Sequence, residues 1–290
     1  MKTIKSTLLA LSAFGLITSS AFAGDTAIIT QAGFNGSVIT NQTETIGNQN
    51  NLTITQDTGS VGETANVTQN GSGNLNATVN QSGGHDQANV NEFGSNESAL
   101  ITQFVGGAYN NASINQNAAS SFENATIEQG GVSNEGLIYQ NGTGDNAYIG
   151  QAGYQVGAGN SASIIQDSDS SLESAKIYQY GISNTGYIYQ DGVGDTAIIW
   201  SNDSSNIANI SQTGDSNTSN ISQTGVSNTA AIGQSGSTNI AYIGQNGDSN
   251  TASIVQNGQS NYANIDQSGT LKLAQLTQTG IGNSTMITQH

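Results

Sequence analysis

The sequence predicts an all-β chain, a two-sided β-solenoid of stacked strand-arc-strand coils with about 22 residues per coil and cross-β-like packing. Three observations predict it. Glutamine returns every eleventh residue at Gln212, Gln223, Gln234, Gln245, Gln256, Gln267, Gln278 and Gln289. An Ile or Leu sits two positions before each of these, at Ile210, Ile221, Ile232, Ile243, Ile254, Ile265, Leu276 and Ile287. Glycine follows two positions after all but the last, at Gly214, Gly225, Gly236, Gly247, Gly258, Gly269 and Gly280. A fixed period of this kind is the mark of a repeat architecture.

Residues 1–23, "MKTIKSTLLALSAFGLITSSAFA", read as a secretory signal peptide, with Lys2 and Lys5 ahead of an apolar run and small residues before Gly24. The apolar run is too short to span a bilayer, and no later stretch approaches the required length. Residues 24–290 then form one repeat domain. That domain has no Cys, so its stability comes from something other than disulfides. Loss of Lys2 and Lys5 takes the net charge from −16 to −18, leaving Lys176 and Lys272 as the basic residues. A chain without a basic patch does not neutralise phosphates, so nucleic acid is excluded as a partner.

Counting back from the C-terminal glutamines gives 23 units, the first ending at Gln31; Glu92 and Ser201 alone replace the terminal Gln. Two positions earlier only Thr40 departs from Ile, Val or Leu, and four positions earlier 17 units carry Ala. Six positions earlier lie Asn206, Asn217, Asn228, Asn239, Asn250, Asn261 and Asn283, while eight units carry an acid there instead. Asn, Ala, Ile and Gln at steps of two share one face of a strand, and a helix would scatter them. The positions between are mostly polar or small, which suits a wetted face. The glycine then supplies the positive φ at which the chain reverses. The absence of Pro fits strands whose every N–H reaches a neighbour.

One coil cannot stand alone. Two Ile at about 1.5–3 kcal/mol each do not offset about 1–2 kcal/mol of ordering cost per residue. The gain must come from stacking coil on coil. Identical amides about 4.8 Å apart then hydrogen-bond in ladders, which is why each Gln must lie over another. Residues 121–150 return at 171–200 after four units, and four units preserve the phase of a coil with two strands. The long arcs after Gln42, Gln116 and Gln151 read as insertions at turns.

The repeat Q-x-G-x-x-N-x-A-x-I-x-Q, as in "QTGVSNTAAIGQ" at 223–234 and "SAKIYQYGISNTGYIYQ" at 174–190, resembles the curlin repeat of bacterial curli subunits. The likeness spans nearly all of residues 24–290. It implies a subunit of an extracellular amyloid fibre that supports biofilm matrix, surface adhesion and cell aggregation. It also implies a related curlin-type subunit or nucleator and curli export proteins as partners. The chain departs from the family pattern in having more repeats, acids at many strand openings, and no long non-repeat leader before about Asp25.

Both ends of the stack are expected to expose unpaired strands, a template for pairing with another chain. The partner expected first is therefore a second copy, added end to end. Strict alternation of units puts Glu97, Glu123, Asp145, Glu173 and Asp195 in one column, where neighbouring carboxylates about 4.8 Å apart would repel by about 3.5 kcal/mol at an effective dielectric near 20. Either they turn to solvent and bond arc N–H groups, or they form a pH- or cation-sensitive column. Tyr139, Tyr148, Tyr189 and Trp200 fall on outward positions, as strand formers or as an adhesive strip.

Nothing in the sequence carries catalysis, so the chain reads as no enzyme, without cofactor or metal site. His85 lies in a Gly-rich turn, and its neighbour Asp86 reads as a strand opener rather than an orienting acid. The competing reading is a monomeric secreted solenoid that binds a ligand, an adhesin or an ice-binding protein. Ice binding wants a flat Thr array. The outward triplets Thr218–Asn220–Ser222, Thr229–Ala231–Gly233 and Ile240–Tyr242–Gly244 are irregular.

Overall fold

The computed structural model describes residues 7–10, 16–20, 25–44, 49–118, 120–151, 158–167 and 170–290. These residues form 25 strands and no helix, and successive strands alternate between two parallel sheets. The first wall has 13 strands and runs from Thr7–Ala10 and Thr26–Gln31 to Ser284–Gln289. The second has 12 and runs from Leu16–Ser20 and Ser37–Glu44 to Leu273–Ile281. The expected two-sided solenoid is the observed fold.

Register follows the repeat. Ala208 pairs with Ala230, Ile210 with Ile232 and Gln212 with Gln234, and the same columns continue into Thr251–Gln259. A slip of one residue would send every Ala, Ile and Gln to solvent, so the hydrophobic pattern alone specifies the pairing. The Ile and Ala of both walls meet in one continuous core, and Ile114, Ile138, Ile188 and Ile254 are fully buried. From Ser174 onward most strands lengthen to nine residues, because uniform eleven-residue units let backbone pairing run on through the glycine column.

The reversal takes two left-handed residues rather than one. Gly214, Gly225, Gly236, Gly247, Gly258, Gly269 and Gly280 have φ between +102° and +135°, as expected. Two residues on, Ser216, Ser227, Thr238, Ser249, Ser260 and Leu271 also lie near +57°. Gly236 is required for a further reason: a Cβ there would stand 2.1 Å from the carbonyl oxygen of Gly258 on the next rung.

Thr7–Ala10 and Leu16–Ser20 pair in parallel with Thr26–Gln31 and Ser37–Glu44, so part of the apolar leader continues the backbone ladder. The rest of residues 1–23 lies outside the described residues. So do 45–48 and 152–157, which hold most of two of the three long arcs, together with 119 and 168–169.

Candidate functional site: amide ladders and a buried carboxyl column

The Gln side chains point inward and form two ladders. In the second wall Gln190, Gln212, Gln234, Gln256 and Gln278 are linked by Nε2–H to Oε1 bonds of 2.8–2.9 Å. In the first wall Gln223, Gln245, Gln267 and Gln289 are linked at 2.9–3.0 Å. Every Nε2 donates toward the C-terminal end, so both ladders have the same polarity. Each amide also crosses the core: Gln234 Nε2 donates to the Thr218 carbonyl of the opposite wall at 3.1 Å. The Gln side chain therefore joins rung to rung and wall to wall.

The degenerate units keep their places. Glu92 accepts from Gln69 at 2.7 Å, and Ser201 Oγ donates to Gln223 Oε1 at 3.3 Å. Glu92 leaves a mark, since Gln116 Oε1, one rung beyond it, has no donor.

The Asn columns make the expected amide-to-amide ladder in the first wall, and in both walls they add bonds to the backbone of the next rung. Asn206 Oδ1 accepts the backbone N–H of Asn228, and Asn228 Oδ1 that of Asn250, at 3.0 Å each. Asn217, Asn239, Asn261 and Asn283 repeat this in the first wall and add Nδ2–H to Oδ1 bonds of 2.8–3.1 Å. Their Nδ2 groups also hold the arcs, as Asn239 does by donating to Gly258 O at 3.0 Å. Asn here is both ladder rung and arc clamp.

Glu97, Glu123, Asp145, Glu173 and Asp195 stand in one column of the first wall, fixed by the pairing of Ser98, Asn124, Asn146, Ser174 and Thr196. The expectation that they turn to solvent is corrected: each is at most 1% exposed. The strand-opening position faces the core, and the stacked arcs close over it. Burial pushes their acidities down, raising Glu97 to about 7, Glu123 and Glu173 to about 9, Asp195 to about 6, and Asp145 upward. Neighbouring carboxyls add to this for Glu123 and Glu173. Partial compensation comes from Ser120 Oγ on Glu97 and Ser170 Oγ on Asp145.

Three further buried acids belong with these. Glu63 and Asp86 open strands in the second wall, and Glu92 takes a Gln place; burial raises Glu63 and Glu92 to about 8 and Asp86 upward. The sequence signal for them was present, since the strand-opening count includes Glu63 and Asp86. The carboxyl oxygens of Glu63, Glu123 and Glu173 have no hydrogen-bond partner. Among the described residues, no group of three or more His, Cys, Asp or Glu side chains is placed to hold a metal ion. Asp86 turns into the core and accepts the Asn110 N–H at 2.8 Å, while His85 stacks outside on Tyr109 at 5.0 Å.

On the outer face of the first wall the rings of Tyr148, Tyr178, Trp200 and Tyr180 form a chain with centroids 5.0–5.3 Å apart. Tyr148 OH donates to Glu128 at 2.7 Å. Tyr139 and Tyr189 lie half-buried on the outer face of the second wall.

No curated protein matches the chain. Residues 225–258, three strand-arc units around Gln234, Gln245 and Gln256, match the family model described as the curlin associated repeat. The strand-arc units of residues 225–258 are thus similar to the curlin associated repeat.

Proposed function

We propose that the chain is a structural subunit of a curli-type extracellular amyloid fibre, exported after removal of residues 1–23 and polymerising end to end. The observation that carries this reading is the pair of in-register Gln ladders over one continuous Ile core, in a chain whose residues 225–258 match the curlin associated repeat. Parallel in-register rungs with identical amide columns form a template to which more of the same repeat can add. A fibre of this kind serves biofilm matrix, surface adhesion and cell aggregation, with a related subunit as nucleator and curli export proteins as escorts. The roles of Gln, Asn, Ile and Gly in this account are those of ladder, clamp, core and turn.

Thioflavin fluorescence with electron microscopy on residues 24–290 tests it. Fibres should appear after a lag that preformed seeds abolish. A chain that remains monomeric and dye-negative would favour the solenoid binding module instead.

A further inference from the structure

We infer that Tyr148 and Tyr178 form an oxidative cross-linking site, where a peroxide acting with a peroxidase joins the two rings into a dityrosine that staples adjacent rungs of the first wall. Both tyrosines belong to one chain, so the site does not depend on fibre assembly.

The first observation is the placement of the rings. Tyr148 lies on Asn146–Gln151 and Tyr178 on Ser174–Ile182, the next strand of the first wall. Both are half-buried on the outer face, with ring centroids 5.2 Å apart and planes inclined by 40°. They are diagonal neighbours, since Tyr148 pairs with Lys176 and Tyr178 with Gly150. Gly150 makes the diagonal contact possible. A Cβ there would stand 2.9 Å from the ring and hydroxyl of Tyr148, so the missing side chain is the room into which that ring leans.

The second observation is a proton acceptor. Tyr148 OH donates to Glu128 Oε2 at 2.7 Å, one rung back along the wall. An oxidised phenol is a strong acid, and a carboxyl at this distance is placed to take its proton as the electron leaves. Until then burial, and after it the Glu128 carboxyl, hold the Tyr148 phenol above its ordinary value, so it stays protonated and bonded.

The third observation is a route for the electron. Trp200 is 39% exposed, its ring lies 5.0 Å from that of Tyr178, and Tyr180 adds a further ring 5.3 Å from Trp200. Rings in such contact exchange an electron, so an oxidant that reaches Trp200 also draws on Tyr178 and Tyr148. Tyr178, Tyr180 and Trp200 in residues 171–200 stand where residues 121–150 carry Glu128, Gly130 and Gly150. The juncture of the two blocks is where a carboxyl, a glycine gap and an aromatic row come together.

Each ring gives up one electron and its phenolic proton, that of Tyr148 to Glu128 and that of Tyr178 to water. The two phenoxyl radicals pair their electrons in a bond between ring carbons ortho to the oxygens. The hydrogens on those carbons leave as protons, and the oxygens regain protons as the rings become aromatic again. The peroxide takes up the two electrons and two protons and leaves as two waters. In a chain without Cys, the new bond restrains the unfolded state as a disulfide would.

Tyr242 and Tyr262 are an internal comparison. Their rings lie 6.1 Å apart, and among the described residues neither hydroxyl is bonded to a carboxyl.

The test treats the folded full chain, prepared as an equal mixture of unlabelled and heavy-nitrogen copies, with hydrogen peroxide and a haem peroxidase. Dityrosine fluorescence follows the rate, and mass spectrometry of proteolytic fragments locates the bond. The expected product joins Tyr148 to Tyr178, lacks two hydrogen atoms, and is wholly light or wholly heavy. Tyr148→Phe should abolish it. Glu128→Gln and Gly150→Ala keep both tyrosines and should each slow it about tenfold, one by removing the proton acceptor and the other by displacing the ring. Circular dichroism checks the fold of each variant, and Glu128→Gln changes only the outer face, so it stands if Gly150→Ala does not fold. No dityrosine, coupling of Tyr242 to Tyr262 as fast as that of Tyr148 to Tyr178, a mixed light and heavy product, or a parental rate in Glu128→Gln would overturn the site.

Discussion

Gln245 Nε2 lies 2.9 Å from Gln267 Oε1, one rung further along the first wall, and its own Oε1 accepts from Gln223 at 3.0 Å. Both contacts are buried, so neither end of the amide can turn to water. Replacing Gln245 by Leu would leave Gln267 Oε1 without its donor and Gln223 Nε2 with the Ile207 carbonyl alone. A stranded buried polar group costs about 1–3 kcal/mol. The unfolding free energy of Gln245→Leu from urea titration should fall by that amount; an unchanged value would mean the ladder adds nothing.

Ser201 supplies the reverse experiment. It interrupts the first-wall ladder between Gln179 and Gln223, and its hydroxyl reaches Gln223 only at 3.3 Å. Ser201→Gln should bridge the two and raise stability by about 1 kcal/mol, a typical net gain for one hydrogen bond. Thermal melting against the parent chain reads the result.

The buried carboxyls make stability depend on pH in one direction. Glu97 at about 7, Glu63 and Glu92 at about 8, and Glu123 and Glu173 at about 9 all stand above the ordinary glutamate value of 4.5, chiefly through burial. The folded chain then holds more protons than the unfolded one between pH 4.5 and about 9. Their contribution is complete below pH 4.5 and is lost as pH rises through 7 to 9. Melting at pH 5, 7 and 9 should show a steady fall, and the double variant Glu123→Gln, Glu173→Gln should flatten it. A chain more stable at pH 9 than at pH 5 would refute this.

Two glycines separate backbone demand from composition. A Cβ on Gly236 would meet the Gly258 carbonyl at 2.1 Å and would also have to accept φ of +110°. Gly233 faces open space with no neighbour within 4 Å. Gly236→Ala should cost several kcal/mol, beyond the usual 1 kcal/mol of a point change, while Gly233→Ala should leave the melt within about 0.5 kcal/mol. Equal effects would contradict the stacked-arc geometry.

The columns were legible because strand and coil have integer periods. Ala230, Ile232 and Gln234 had to share a face, and identical amides had to coincide between coils. The arc was only half legible: Gly236 announces its positive φ, but Thr238 does not, since a β-branched residue near +55° runs against ordinary preference and is imposed by stacking. The acids misled for a related reason. Isolated carboxylates belong in water, yet Glu123 and Glu173 occupy the strand-opening position that Asn217, Asn239 and Asn261 hold inside the arc further along the same wall. Residue type argued for the surface, and register prevailed.

Fibre diffraction from residues 24–290, assembled near pH 5 and aligned, tests the stacked-ladder account most directly. The account gives a sharp meridional reflection at about 4.8 Å with parallel, in-register rungs. A preparation that yields no such reflection, or fibres in which the Gln side chains exchange freely with bulk water, would contradict it.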